Sequence, residues 1–136
     1  MFQFSAEQKD IKLIVELDAD LSVYVDHNAL STIIRNLISN AIKFTPRGGT
    51  IKIISERDQH NVALKVIDSG VGIGQNKLSK IFDLDPSRAR GTEGEKGTGL
   101  GLMLCKELVE LNKGEIKVGS VLNKGTTIQI NLPKVA

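Results

Sequence analysis

The chain has 136 residues, the length of one domain, and at that length roughly two-thirds of the unfolded surface can be buried. A hydrophobic content of 40% and a charged content of 25% are ordinary for a globular protein, and a formal net charge of +2 is too small to indicate a nucleic-acid or membrane partner. Cys105 is the only cysteine, which excludes an internal disulfide and any multi-cysteine metal site; with no tryptophan and 4% aromatics, the core must be mostly Ile, Leu and Val.

The first ten residues, MFQFSAEQKD, look like a truncated beginning rather than a natural start. IKLIVEL (11–17) alternates into a strand, and SVYV (22–25) predicts a short second one. Asp26 is placed to cap a helix from His27 to Phe44, which Pro46 and Gly48-Gly49 bring to a halt. TIKIISER and NVALKVID then predict two strands joined by RDQH, the second running directly into SGVGIG. A short helix, QNKLSKIF, follows. Residues 83–97 lack a sustained apolar period and are rich in Gly, Arg, Glu and Pro, the composition of a long lid-like loop.

A second long helix runs from Leu100 to Leu111, where NKG ends it, and EIKVGSV and TTIQINL close the chain as two strands joined across LNKG. The expected architecture is one α+β domain over residues 1–136, a mixed sheet of about five strands covered on one face by three helices. Cys105 lies in the apolar helical stretch LMLCKELVEL and reads as a buried thiol. His27 and His60 are far apart and lack metal-ligand spacing, so both read as surface or capping residues. No apolar run is long enough to span a bilayer and no signal-peptide pattern opens the chain, so a reducing, cytoplasmic location is expected.

Three polar residues interrupt this ordinary picture. Asn36, Asn40 and Lys43 are spaced four and three apart and stack along one line of the first long helix. At about 100° per residue, Leu30, Ile33, Ile34, Leu37, Ala41 and Phe44 gather into a broad apolar stripe, and the polar line runs along its edge. Such a line is either a polar flank bonded to a neighbouring loop or the wall of a pocket. Amide oxygens suit Mg²⁺, and a neighbouring ammonium suits phosphate.

DSGVGIG (68–74) places a carboxylate at the end of an apolar strand with glycine at every second position after Asp68. Asp68 is either the start of an Asx-type turn or an acceptor for the exocyclic amine of adenine. KGTGLGL (96–102) sets three alternating glycines at the start of a helix, where free N–H groups and the helix dipole favour phosphate. The P-loop pattern is absent, and the dinucleotide fingerprint fails because its sixth position is Gln75 in one stretch and Leu102 in the other. Five of the thirteen glycines fall between residues 91 and 101, so this segment is expected to move.

Taken in order, these stretches resemble the ATP-binding catalytic domain of sensor histidine kinases, within the Bergerat-type ATPase superfamily. NLISNAIKFTP resembles the N box of that family, DSGVGIG its G1 box, IFDLD a shortened F box and GTGLGL its G2 box. The resemblance covers nearly the whole chain. It implies a two-layer sandwich with ATP between the N-box helix and the glycine loops, Asn40 coordinating Mg²⁺ with Asn36 assisting, and Lys43 on phosphate. It further implies Asp68 on the adenine amine, Gly70, Gly72 and Ile73 beside the base, and Phe82 anchoring a lid over 83–97. Gly97, Thr98, Gly99, Leu100 and Gly101 would form the lid hinge and phosphate cradle. Asp83 stands where many members carry an Arg, so Arg88, Arg90 and Lys96 are either solvated lid charges or candidates to replace the usual γ-phosphate contact, with Lys96 the first choice.

In the gyrase, mismatch-repair and chaperone branches of the superfamily a Glu acting as general base sits where this chain has Asn36, and an Asp commonly sits where it has Lys43. Poor hydrolysis and transfer to a nucleophile from another domain are therefore expected. The implied partners are ATP or ADP, the histidine-bearing dimerisation domain of a parent kinase, and indirectly a response regulator, with no nucleic-acid or membrane contact. Neither His27 nor His60 fits the family's phospho-accepting position, so the chain alone is expected to be a monomer that does not phosphorylate itself. Two other readings share the fold: a serine-directed kinase that also sequesters a transcription factor, and a non-catalytic nucleotide-sensing module.

Overall fold

The computed structural model describes residues 9–17, 27–72, 74 and 101–133. In chain order the elements are β1 (Lys12–Glu16), α1 (His27–Phe44), β2 (Thr50–Arg57), β3 (Asn61–Asp68), α2 (Gly101–Leu111), β4 (Glu115–Val121) and β5 (Gly125–Pro133). The strands form one five-stranded sheet in the order β1-β2-β3-β5-β4. β1 and β2 are parallel, which requires a crossover, and the intervening segment carries α1. All other neighbours are antiparallel. The mixed sheet expected from the sequence is therefore present, with two helices among the described residues. The predicted strand at 22–25, the helix at 75–82 and the loop at 83–97 lie outside the described residues.

Alternation decides which face of the sheet is covered. On β3, Val62, Leu64 and Val66 are buried, and on β5 Ile128, Ile130 and Leu132 are buried. Their register pairs Val62 with Leu132, Leu64 with Ile130 and Val66 with Ile128. The same two-residue period carried one step further pairs Asp68 with Thr126, so the ladder of apolar rungs ends in a carboxylate and a threonine on the covered face. On its other side Asp68 lies opposite Ile51 of β2, a fully buried residue.

α1 packs Ile33, Leu37, Ile38, Ala41 and Ile42 into this core, and α2 adds Cys105 and Val109. Each fully buried aliphatic side chain of this kind contributes roughly 1.5–3 kcal/mol through removal of apolar surface from water. The Cys105 thiol donates to the carbonyl of Ile33 at 3.6 Å, joining the two helices, and burial pushes its pKa up to about 12. This agrees with a buried, unreactive thiol. The opposite face of the sheet carries Lys65 and Gln129, with ion pairs such as Lys65–Glu56 at 3.2 Å that are open to solvent and contribute little.

Candidate functional site

Asp68 is the last residue of β3 and lies where the hydrophobic ladder stops. Its Oδ1 accepts from the backbone N–H of Gly70 at 2.8 Å and of Thr126 at 3.2 Å. Among the described residues no hydrogen bond reaches Oδ2. Burial raises the pKa of this carboxyl from its ordinary 3.8, and the two backbone donors, which favour the charged form, oppose that shift. One oxygen is held by backbone donors and the other has no hydrogen-bond donor among the described residues.

The polar line of α1 holds three half-buried side chains, Asn36, Asn40 and Lys43. The Asn36 amide donates to the carbonyl of Thr32 at 3.0 Å, one turn back, which turns its nitrogen toward the helix and leaves its oxygen as an acceptor. The Asn40 side chain has no hydrogen-bond partner among the described residues. The Lys43 ammonium sits 5.2 Å from the centroid of the Phe44 ring. Measured along the helix axis, Asn40 lies about 6 Å and Asn36 about 12 Å from the Phe44 end.

That end of α1 meets the loop after Asp68. The N–H of Val71 donates to the carbonyl of Phe44 at 3.3 Å, and a Cβ at Gly70 would lie 2.5 Å from the same oxygen. Any side chain at position 70 would push helix and loop apart. On its other side the loop leans on the β4–β5 turn. The N–H of Asn123 donates to the carbonyl of Val71 at 2.7 Å, and Gly72, at φ 75°, has no room for a Cβ against the backbone of Val121. The structure thus brings the amide-bearing helix, Asp68, Gly70 and Gly72 to one end of the sheet. Gly101 begins α2. Ile73, Phe82, Arg88, Arg90, Lys96, Gly97, Thr98, Gly99 and Leu100 lie outside the described residues.

Two participants were not apparent from sequence. Thr126 is buried and supplies a donor to Asp68, and the turn between β4 and β5 buttresses the glycine loop. The signal for Thr126 was its inward position in the alternating TTIQINL, a polar residue in phase with Ile128, Ile130 and Leu132. Among the described residues no group of three His, Cys, Asp or Glu could hold a metal ion. A cation at this site would draw on the amide oxygens of Asn36 and Asn40 and on oxygens of the ligand, a donor set that suits Mg²⁺.

Comparison with known proteins agrees with this fold. The sensor histidine kinase TmoS of Ectopseudomonas mendocina is 41% identical over 134 residues, which is 97% of this chain and 14% of that protein. The chain spans about a third or less of the length of the curated relatives it matches. The catalytic domain of histidine kinase ThkA, in a nucleotide-free form, superposes with a TM-score of 0.82 at 31% identity, covering 99% of this chain and 88% of that one. ThkA in complex with the response regulator protein TrrA also matches, at a TM-score of 0.79 and 28% identity, over 98% of this chain and 37% of that one. Full-length ShkA in complex with AMPPNP matches with a TM-score of 0.80 at 25% identity, over 96% of this chain and 27% of that one. With residues 25–136 also matched by the family model of histidine kinase-, DNA gyrase B- and HSP90-like ATPases, the chain belongs to that family.

Proposed function

We propose that this chain binds Mg-ATP between the polar edge of α1 and the loop at 68–72, and donates the γ-phosphoryl group to a histidine on a separate dimerisation domain in two-component signalling. The observation that carries the reading is the join at Phe44, where the backbone of the amide-bearing helix is bonded to the loop that follows Asp68. Oδ2 of Asp68 accepts the exocyclic amine of adenine, and Gly70 and Gly72 let the backbone approach the base. The amide oxygens of Asn40 and Asn36 would hold Mg²⁺, which neutralises phosphate charge when bound. Lys43 meets the phosphates, and Lys96, with Arg88 and Arg90 as the other candidates, balances charge on the γ-phosphate.

The absence of a carboxylate at Asn36 supports transfer over hydrolysis, because an amide cannot take a proton from water at neutral pH. The names of TmoS, ThkA and ShkA support a kinase role, and the ThkA–TrrA complex supports a response regulator as the downstream partner. Calorimetric titration with Mg-ATP, followed by incubation of the chain and γ-labelled ATP with a supplied histidine-bearing helical bundle, tests the proposal. Binding with acid-labile label on the bundle and none on His27 or His60 is the expected result. Tight binding without transfer to any histidine acceptor would refute the kinase reading, and the absence of binding would refute the site.

A further inference from the structure

The last four carbonyls of any α-helix lack a partner within the helix, and in α1 these belong to Ala41, Ile42, Lys43 and Phe44. Each one is satisfied from outside the backbone ladder. The Thr45 hydroxyl, fully buried, donates to Ala41 at 2.6 Å. Lys9 as a residue is only 6% exposed, and its ammonium donates to the carbonyls of Ile42 at 3.0 Å and Lys43 at 3.1 Å. Phe44 receives the N–H of Val71. Lys9 comes from before β1, and its own backbone is held in turn: its carbonyl accepts from Gly48 at 3.3 Å, while the N–H of Lys12 donates to Gly49 at 3.0 Å.

A cation is favoured at this place because it meets the negative end of the α1 dipole, and burial in a shielded position strengthens that attraction. Lysines are seldom fully buried unless something compensates the charge. Here two carbonyls at the end of the helix that carries Asn40 and Lys43 contribute to that compensation. We propose that Lys9 is a positioning residue for the nucleotide site: by clamping the last turn of α1 it fixes where Lys43 and the Phe44 carbonyl stand, and through that carbonyl where Val71 of the 68–72 loop stands. The proposal deepens the Mg-ATP reading and rests on it for its functional consequence, but its structural content is independent of any nucleotide.

Two measurements on the purified chain separate these layers. Lys9→Met keeps the length and apolar stem of the side chain while removing charge and donors. Below its melting temperature it should speed exchange of the Val71 amide by about tenfold while leaving the Leu64 amide, in the centre of the sheet, unchanged. It should also weaken Mg-ATP by about tenfold and adenosine by less than about twofold, because the disturbed turn carries the phosphate-facing amine. Lys9→Arg, which retains charge and donors, should restore both values to within about twofold. Should Lys9→Met fail to fold, Lys9→Gln is read in its place.

Unchanged Val71 exchange, a uniform acceleration across the sheet, or equal loss of adenosine and Mg-ATP would overturn the proposal and leave Lys9 a general stabiliser. If the unaltered chain binds no Mg-ATP, the proposed function falls, while the exchange pattern still decides the role of Lys9.

Discussion

Replacing Asp68 by Asn separates the fold from the ligand at one atom. The amide oxygen of Asn can occupy the place of Oδ1 and accept from Gly70 and Thr126 as the carboxylate does at 2.8 and 3.2 Å. At the place of Oδ2 it presents an NH₂ group, which in the proposed complex would face the donor on adenine. Losing a charge-assisted hydrogen bond and leaving donors opposed should cost about 2–4 kcal/mol of binding, or roughly 30- to 1,000-fold in Kd for Mg-ATP.

Stability should move the other way. Desolvation raises the folded-state pKa of Asp68 above 3.8, so the stability associated with this group is present below the unfolded pKa and is lost as pH rises through the folded value. At neutral pH the buried charge therefore opposes folding, and Asp68→Asn should be as stable as the unaltered chain or more so. Calorimetry with Mg-ATP gives the first number and urea unfolding without nucleotide the second. Retention of affinity within about threefold would refute the assignment of Oδ2. Destabilisation by more than about 2 kcal/mol would show instead that the carboxylate is held for the fold. By the same linkage, Mg-ATP affinity of the unaltered chain should fall on acidification as Asp68 takes up its proton, starting at a pH above that of an ordinary aspartate.

Asn40→Ala should leave the helix intact, since Ala is the better helix former, and should weaken ATP about tenfold with Mg²⁺ present but hardly at all in chelator, as titrations in the two buffers would show. Gly72→Ala places a side chain at φ 75° against the backbone of Val121 and should destabilise by about 2 kcal/mol or more, whereas Gly119→Ala points into open space and should be nearly neutral in urea unfolding. The Cys105 thiol, fully buried and with its pKa pushed up to about 12, should react with a thiol reagent at pH 8 only as fast as the chain unfolds, so labelling and unfolding rates should coincide.

Local pattern in the sequence sufficed for much of this protein. The two-residue alternation of NVALKVID and TTIQINL predicts strands with one buried face, and the apolar stripe of residues 27–44 predicts α1 with Asn36, Asn40 and Lys43 on its edge, because those periods are properties of a strand and a helix in isolation. The order of the glycine stretches carried the family resemblance. Strand order and register were a different matter. That β5 inserts between β3 and β4, so that Thr126 donates to Asp68 across 58 residues, follows from how faces pack and not from any window of the chain. The seat of Lys9 on carbonyls 33 and 34 residues away was equally invisible, since a lysine in a polar segment looks solvated until the helix end that needs its charge is brought against it. Periodicity is encoded residue by residue, whereas a hydrogen bond between distant segments exists only once the core has chosen which of them meet.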